Sequence, residues 1–371
     1  MKHFFYVIAI LFIGCASKKK HVTAFNYVYN HKDPNLQRIF TNPKKYEVQI
    51  LYTRVSEEPQ KINFNTDYYL AKSNAYFYPA SVVKLPIAIL ALEKLSRNKE
   101  INLTTKYKIQ DDTTDYSIYD DITDVLILSG NESFNRLFDF VGGQDSINAR
   151  LKTLNIEAQI KHRLSIPNSD YVKTKEIVFE KNIVFPSIQS QPIKKLSINN
   201  LQKGKGYYQN DTLISEPMDF SLKNYYPIEA MHNTLMRIFF PTSFLKSQRF
   251  HLTKENMIFL KETLKKVPRK AGFLDNEYHD SYGKFFMYGD SKKNIPDHIE
   301  IYNKVGQAYG TLTDCAYVVD TKKNIAFFLT VTLLVNENEI FNDDVYEYDS
   351  VGIPFMASLG RAFYEYEMKN K

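Results

Sequence analysis

Residues 82–95 (V-V-K-L-P-I-A-I-L-A-L-E-K-L) are apolar on nearly every side of a helix. A helix of that kind has no solvent face, so it must lie inside a domain with other elements packed all round it. Pro86 has no N–H to give and fits only near a first helical turn. The helix therefore begins close to Ser81. At 371 residues, with 44% apolar and 24% charged residues, the chain can enclose such an element in one large domain or two small ones, and it is not disordered by composition.

Tyr46–Val55 alternates apolar and polar residues as a half-buried strand does, and a second strand is expected within 61–70. Residues 122–142 read as one helix, and helical periodicity returns at 227–239 and 253–266. Residues 298–306, 315–320 and 325–335 read as strands, and 351–368 as a closing helix. Strands at both ends with helices between them predict an α+β sandwich whose sheet is made from the two chain ends. Residues 165–226 are polar and rich in Pro, Ser, Asn and Lys, and are expected to be an inserted or functional loop. No internal repeat is evident.

At the N-terminus, Lys2 and His3 precede ten apolar residues, Phe4 to Ile13. That run is too short to span a bilayer but suits the core of a signal peptide. Gly14-Cys15 follows and resembles the lipobox of bacterial lipoproteins, although Phe12 stands where Leu is commoner. The resemblance implies a signal peptide at 1–14, lipidation of Cys15 and a membrane-anchored protein of the cell envelope. Several acyl chains anchor far more durably than one. Ala16, in place of Asp, favours the outer membrane, facing the periplasm. Residues 15–42, polar and Lys-rich over 16–40, then read as a lipid-anchored tether, and 43–371 as the functional domain.

The net charge of +6 is spread along the chain, without the concentration a nucleic-acid binder would show, so no nucleic-acid partner is expected. With Cys15 lipidated, the other cysteine, Cys315, has no partner for a disulfide and reads as a small core residue. Asp111, Asp112, Asp115, Asp120 and Asp121 lack the central Gly and terminal Glu of a calcium loop and read as a solvated face. His279, Asp280 and Asp290 lack metal-ligand spacing. No metal and no cofactor are expected, and the chain is expected to be a monomer.

Five S-x-x-K sequences occur, at Ser17, Ser81, Ser96, Ser243 and Ser281. Only Ser81/Lys84 opens a buried apolar helix. A spacing of three puts both side chains on one helical face. A desolvated lysine loses its proton more readily and can act as base for the hydroxyl, and the helix N-terminus favours a developing anion. Ser129-Gly130-Asn131 follows a helical pattern and can present a hydroxyl and an amide to one cleft. Lys304-Val305-Gly306 ends a strand-like segment, where glycine allows close backbone approach.

These three sequences, in this order, resemble the S-x-x-K, S-D-N and K-T-G boxes of class A β-lactamases and penicillin-binding proteins. The flanks P-A-S-V-V-K-L-P-I-A-I-L and Gly310, Asp314 and Ala316 extend the resemblance, which covers roughly 45–165 and 227–369. It implies a β-lactamase/transpeptidase-like α+β fold: an antiparallel sheet formed by both chain ends, flanked by helices, with an all-helical subdomain. It implies Ser81 as nucleophile, Lys84 as base, Ser129 as proton relay to the leaving nitrogen, and Lys304 as the cation that tunes Ser129. Asn131 would bind the substrate amide. Gly306 would admit the substrate, and the backbone N–H groups of Ser81 and Gln307 would form the oxyanion hole.

Three positions depart from the pattern. Gly130 replaces the Asp of S-D-N, a mainly structural residue in the family. Val305 replaces the Thr of K-T-G and removes a hydroxyl for a substrate carboxylate. Ser165 falls where class A enzymes carry the loop Glu that activates the deacylating water, if Arg163 matches the family's Arg. Asn168 echoes a loop Asn, while Glu157, Asp170 and Glu176 are spaced wrongly for that base. Acylation of Ser81 is thus better supported than release of the acyl group. The expected function is a serine hydrolase acting on amide or β-lactam bonds, with a small-molecule or peptidoglycan-peptide substrate. The alternatives are a D-Ala-D-Ala-type peptidase, an esterase, or a catalytically weak envelope-binding lipoprotein.

Overall fold

The computed structural model describes residues 23–58, 61–71, 74–273 and 278–371. The signal-peptide reading of 1–14 and Cys15 lie outside them. In chain order the main elements are α1 (Ala24–Tyr29), α2 (Pro34–Phe40), β1 (Gln49–Glu58), β2 (Lys61–Tyr69), α3 (Lys84–Ser96), α4 (Ile118–Ile127), α5 (Asn131–Val141) and α6 (Gly143–Thr153). There follow α7 (Ile228–Phe239), α8 (Lys254–Lys265), β3 (Ile299–Ala308), β4 (Thr311–Asp320), β5 (Ile325–Leu334) and α9 (Ile353–Lys369). The five strands form one antiparallel sheet in the order β3-β4-β5-β1-β2. The sheet is therefore made from the two ends of the chain, as the sequence predicts.

The alternation of the strands sorts their side chains between two cores. Ile50 and Tyr52 of β1, Ala316 and Val318 of β4, and Phe327 and Leu329 of β5 face a layer that holds α1, α2 and α9. Leu51, Cys315, Tyr317 and Phe328 face the other layer, with α7 and the helices around α3. Helix α3 is buried from Lys84 to Leu92 without a break, in keeping with its apolar circumference. Glu93 is also buried and forms a bidentate pair with Arg150 of α6 at 2.6 and 2.7 Å.

Two expectations are corrected. Residues 24–40 are not a tether: they fold as α1 and α2 and bury Val28, Leu36, Ile39 and Phe40 against α9. Their composition is polar, but the apolar residues sit at the helical spacing that one packed face needs. The helix expected over 122–142 is two helices, because Ser129 takes a left-handed φ of 63° and Gly130 caps the second. Residues 165–226, read as an inserted or functional loop, carry several short strands. Ile177–Phe179 and Ile183–Phe185 join Lys106–Ile109 in a small sheet, and Gly206–Gln209 pairs with Ile340–Phe341. Strands this short carry little periodic signal.

Candidate active site

The chain enters α3 through a tight 3-10 turn, Ala80–Val83, with Ser81 near its start. Ala80 stands in the left-handed region at φ 45°, with its side chain buried beside Tyr76, Tyr78 and Phe220. Ser129 is left-handed too. Each such residue stores on the order of 1–3 kcal/mol, and such strain persists only where the surroundings over-determine the backbone. Both strained residues lie at the point where the candidate groups meet.

That meeting point is the Lys84 amine. Lys84 Nζ donates to Ser81 Oγ at 2.9 Å, to Ser129 Oγ at 3.3 Å, to Asn131 Oδ1 at 2.6 Å and to the Ser129 carbonyl. Lys304 Nζ reaches the other side of Ser129 Oγ at 2.8 Å and also bonds the Val305 carbonyl at 3.0 Å. Ser81, Lys84, Ser129, Asn131 and Lys304, spread over more than two hundred residues of sequence, thus form one hydrogen-bonded chain. The 81–84 turn, the α4–α5 connection and strand β3 each supply a part.

Lys84 is fully buried, and burial pulls its ammonium down to about 7, against the attraction of Asp124. Burial also holds Lys304 well below the ordinary lysine range, and repulsion from Lys84 adds to it. A neutral Lys84 has two N–H groups and one lone pair, so one of its four oxygen partners must donate back to it. The Ser129 carbonyl and Asn131 Oδ1 cannot donate. The hydroxyls of Ser81 and Ser129 can, so loss of a proton from Lys84 aims a serine hydroxyl at the amine.

Gly306 is required where β3 passes the serine turn. A Cβ there would lie 2.5 Å from the Pro79 carbonyl oxygen and 3.2 Å from the Ser81 nitrogen. The strand can approach this closely only as glycine, and the approach carries Gln307 into the cleft. Ser81 and Gln307 both line two cavities that meet at the serine. One, of about 910 Å³, runs past Ser129, Lys304 and Val305 toward Tyr282 and Lys292. The other, of about 750 Å³, runs past Asn131 and Ser165 toward Tyr309, Tyr348 and Lys223.

Ser165 sits on the cleft edge and accepts from Asn131 Nδ2 at 3.0 Å. Its segment is held rigidly: Leu164 exchanges two hydrogen bonds with Asn135, both 2.9 Å, and Arg163 pairs with Asp139. His162 does not supply a free base. Its Nδ1 bonds the Arg163 carbonyl and its Nε2 accepts from the Asn224 amide, while burial lowers the ring to about 4. Cys315 lies in the core, where burial pushes its thiol up to about 12. Lys284, of the competing Ser281 box, is buried on the carbonyls of Leu264 and Ile301 and on Asn303 Oδ1, away from any serine hydroxyl. Tyr309, Tyr346 and Tyr348 of the second cavity are not legible in the sequence as site residues, because they arrive from the β3–β4 turn and from the segment before α9.

Residues 34–183 match the family model described as the beta-lactamase enzyme family. No curated protein matches the chain. Among solved structures, the TLA-3 extended-spectrum β-lactamase superposes with a TM-score of 0.54 at 14% identity, over 90% of this chain and 96% of that one. The TLA-1 extended-spectrum β-lactamase gives 0.54 at 14%, over 89% and 96%. A class A β-lactamase representative from Bacteroides cellulosilyticus gives 0.52 at 14%, over 91% and 98%. At this identity the superpositions show the fold, which is that of the class A β-lactamases over about nine-tenths of the chain. The chain thus has the class A β-lactamase fold, and its residues 34–183 are similar to the beta-lactamase enzyme family.

Proposed function

We propose that the protein is a serine hydrolase that opens amide or β-lactam bonds by forming an acyl-enzyme on Ser81. The observation that carries this reading is the 2.9 Å contact between Ser81 Oγ and a buried lysine amine that is half neutral near pH 7. Ser81 Oγ attacks the carbonyl carbon and passes its proton to Lys84. The tetrahedral oxyanion forms beside the backbone N–H groups of Ser81 and Gln307. Ser129, bonded to both lysines, hands a proton to the departing nitrogen as the C–N bond breaks, and Lys84 replenishes it. A substrate carboxylate drawn to Lys304 would restore the charge that burial opposes there.

Among the described residues of the cleft, no carboxylate takes the place of a base for releasing the acyl group. On the resemblance, with Arg163 matched to the family's Arg, Ser165 would stand where the class A enzymes hold a glutamate, and a serine is no proton acceptor of useful strength. The reading is therefore an enzyme that acylates readily and hydrolyses slowly, closer to a peptidase of cell-wall peptides than to an efficient β-lactamase. Export and lipidation at Cys15 belong to the same proposal and place the enzyme in the envelope, where such peptides are found.

A fluorescent penicillin should label the natural protein and leave Ser81→Ala unlabelled. Equal labelling of the two would sink the acyl-enzyme. Repeated nitrocefin turnover, in place of a long-lived adduct, would make the protein a working lactamase.

A further inference from the structure

The site has a deficit of negative charge that its own motif does not repair. Lys84 and Lys304 are both buried and share the Ser129 hydroxyl. Where S-D-N places a carboxylate, this chain has Gly130, which has no side chain. The space is nevertheless filled. A Cβ on Gly130 would fall 1.7 Å from Asp124 Oδ2 and 2.5 Å from Asp124 Cγ, so the Asp124 carboxylate occupies the volume a residue-130 side chain would take. Asp124 lies in the last turn of α4, and its backbone carbonyl accepts from the amides of Leu128 (2.9 Å) and Gly130 (3.4 Å). Its Oδ2 also accepts from Ser133 Oγ at 2.6 Å, and Arg136 holds Ser133 from the other side at 3.0 Å.

We propose that Asp124 is a positioning residue of the active site, supplying from α4 the carboxylate that the 129–131 box lacks. Its backbone and side chain clamp the turn that presents Ser129, and its charge faces the paired lysines. The proposal rests on the reading of Lys84 as the base toward Ser81, and it adds the residue that sets the charge of that base. The groups facing Lys84 are Lys304 from β3 and Asp124 from α4; Asp314 of β4 and Lys284 also face Lys304. Asp124 opposes the effect of burial on Lys84, so removing its charge lets the amine lose its proton at lower pH. Glycine at 130 and aspartate at 124 are then two halves of one arrangement. Restoring a side chain at 130 without clearing 124 puts two carboxylates in one volume.

The test combines acylation by fluorescent penicillin across pH with NMR titration of isotope-labelled lysine in the full folded domain. Asp124→Asn keeps the shape and the Ser133 hydrogen bond. It should move the acidic limb of the acylation profile, and the titration of Lys84, down by about one pH unit. Gly130→Asp alone should acylate at least about tenfold more slowly. The exchange Asp124→Gly with Gly130→Asp should recover most of that loss and return the limb toward its original pH. An unmoved Lys84 titration in Asp124→Asn, or a folded exchange variant no faster than Gly130→Asp, would overturn the proposal. Should the exchange variant not fold, the Asp124→Asn titration decides alone. It also decides if penicillin does not acylate the natural chain, an outcome that removes the Ser81 reading but leaves Lys84 measurable.

Discussion

The chemistry of single residues turns on Lys84. Burial removes the solvation of its ammonium, and the amine loses its proton near neutrality. On the proposed mechanism, acylation should rise with pH through about 7, because below that value a proton occupies the Lys84 amine. Lys84→Ala should lower the acylation rate by at least about a hundredfold and abolish this limb, as read by stopped-flow labelling. Gly306 acts by having no side chain. Gly306→Ala would drive a methyl group into the Pro79 carbonyl, so β3 must back away from Ser81. The expected result is slower acylation at unchanged secondary structure, with a crystal structure showing the strand displaced. Neither role was recognisable from residue type alone. Four other S-x-x-K sequences have the same spacing as Ser81/Lys84, and Lys284 shows what the spacing can mean elsewhere, a lysine sealed on backbone carbonyls.

At the scale of elements, the site depends on how the sheet meets the helical layer. His232 of α7 sits between the two, with its ring nitrogens on the hydroxyls of Thr53 in β1 and Thr330 in β5, at 2.8 and 2.9 Å. Full burial lowers its pKa from 6.5 to about 3. The folded-state value lies below the unfolded one, so below pH 6.5 the unfolded chain takes up a proton that the folded chain refuses. Stability is then lost as pH falls from 6.5 toward 3. Between pH 7.5 and 5.0 this ring alone should cost about 2 kcal/mol. Denaturant titrations at the two pH values would show it, and His232→Gln should flatten the difference. The break between α4 and α5 is likewise decided by packing. Local periodicity runs through 122–142 without interruption, yet the left-handed Ser129 and the Asp124 carboxylate beside Gly130 turn the chain there.

At the scale of the molecule, the two ends of the chain close the fold together. Helices α1 and α2 lie on α9, and β1 pairs with β5. If residues 24–40 were a tether, Ile39→Ala would be neutral. As a fully buried member of that layer, Ile39 should cost about 2–5 kcal/mol on truncation, measured by thermal or chemical unfolding.

The buried helix behind Ser81 and the sheet made from both chain ends are readable in the amino-acid sequence, while the meeting of the three boxes is what their resemblance to a known family implies. The helix and the sheet follow from local rules: apolar periodicity, the position of Pro86 and the alternation of the strands. Tertiary structure decided the rest, because the deciding contacts join positions far apart in sequence or depend on space and not on residue type. It folded 24–40 against α9, paired short parts of 165–226 into small sheets, and brought Tyr309 and Tyr348 to the cleft beside Ser165. It also put the Asp124 carboxylate into the space that Gly130 leaves empty, a relation carried by volume and charge that no motif could encode.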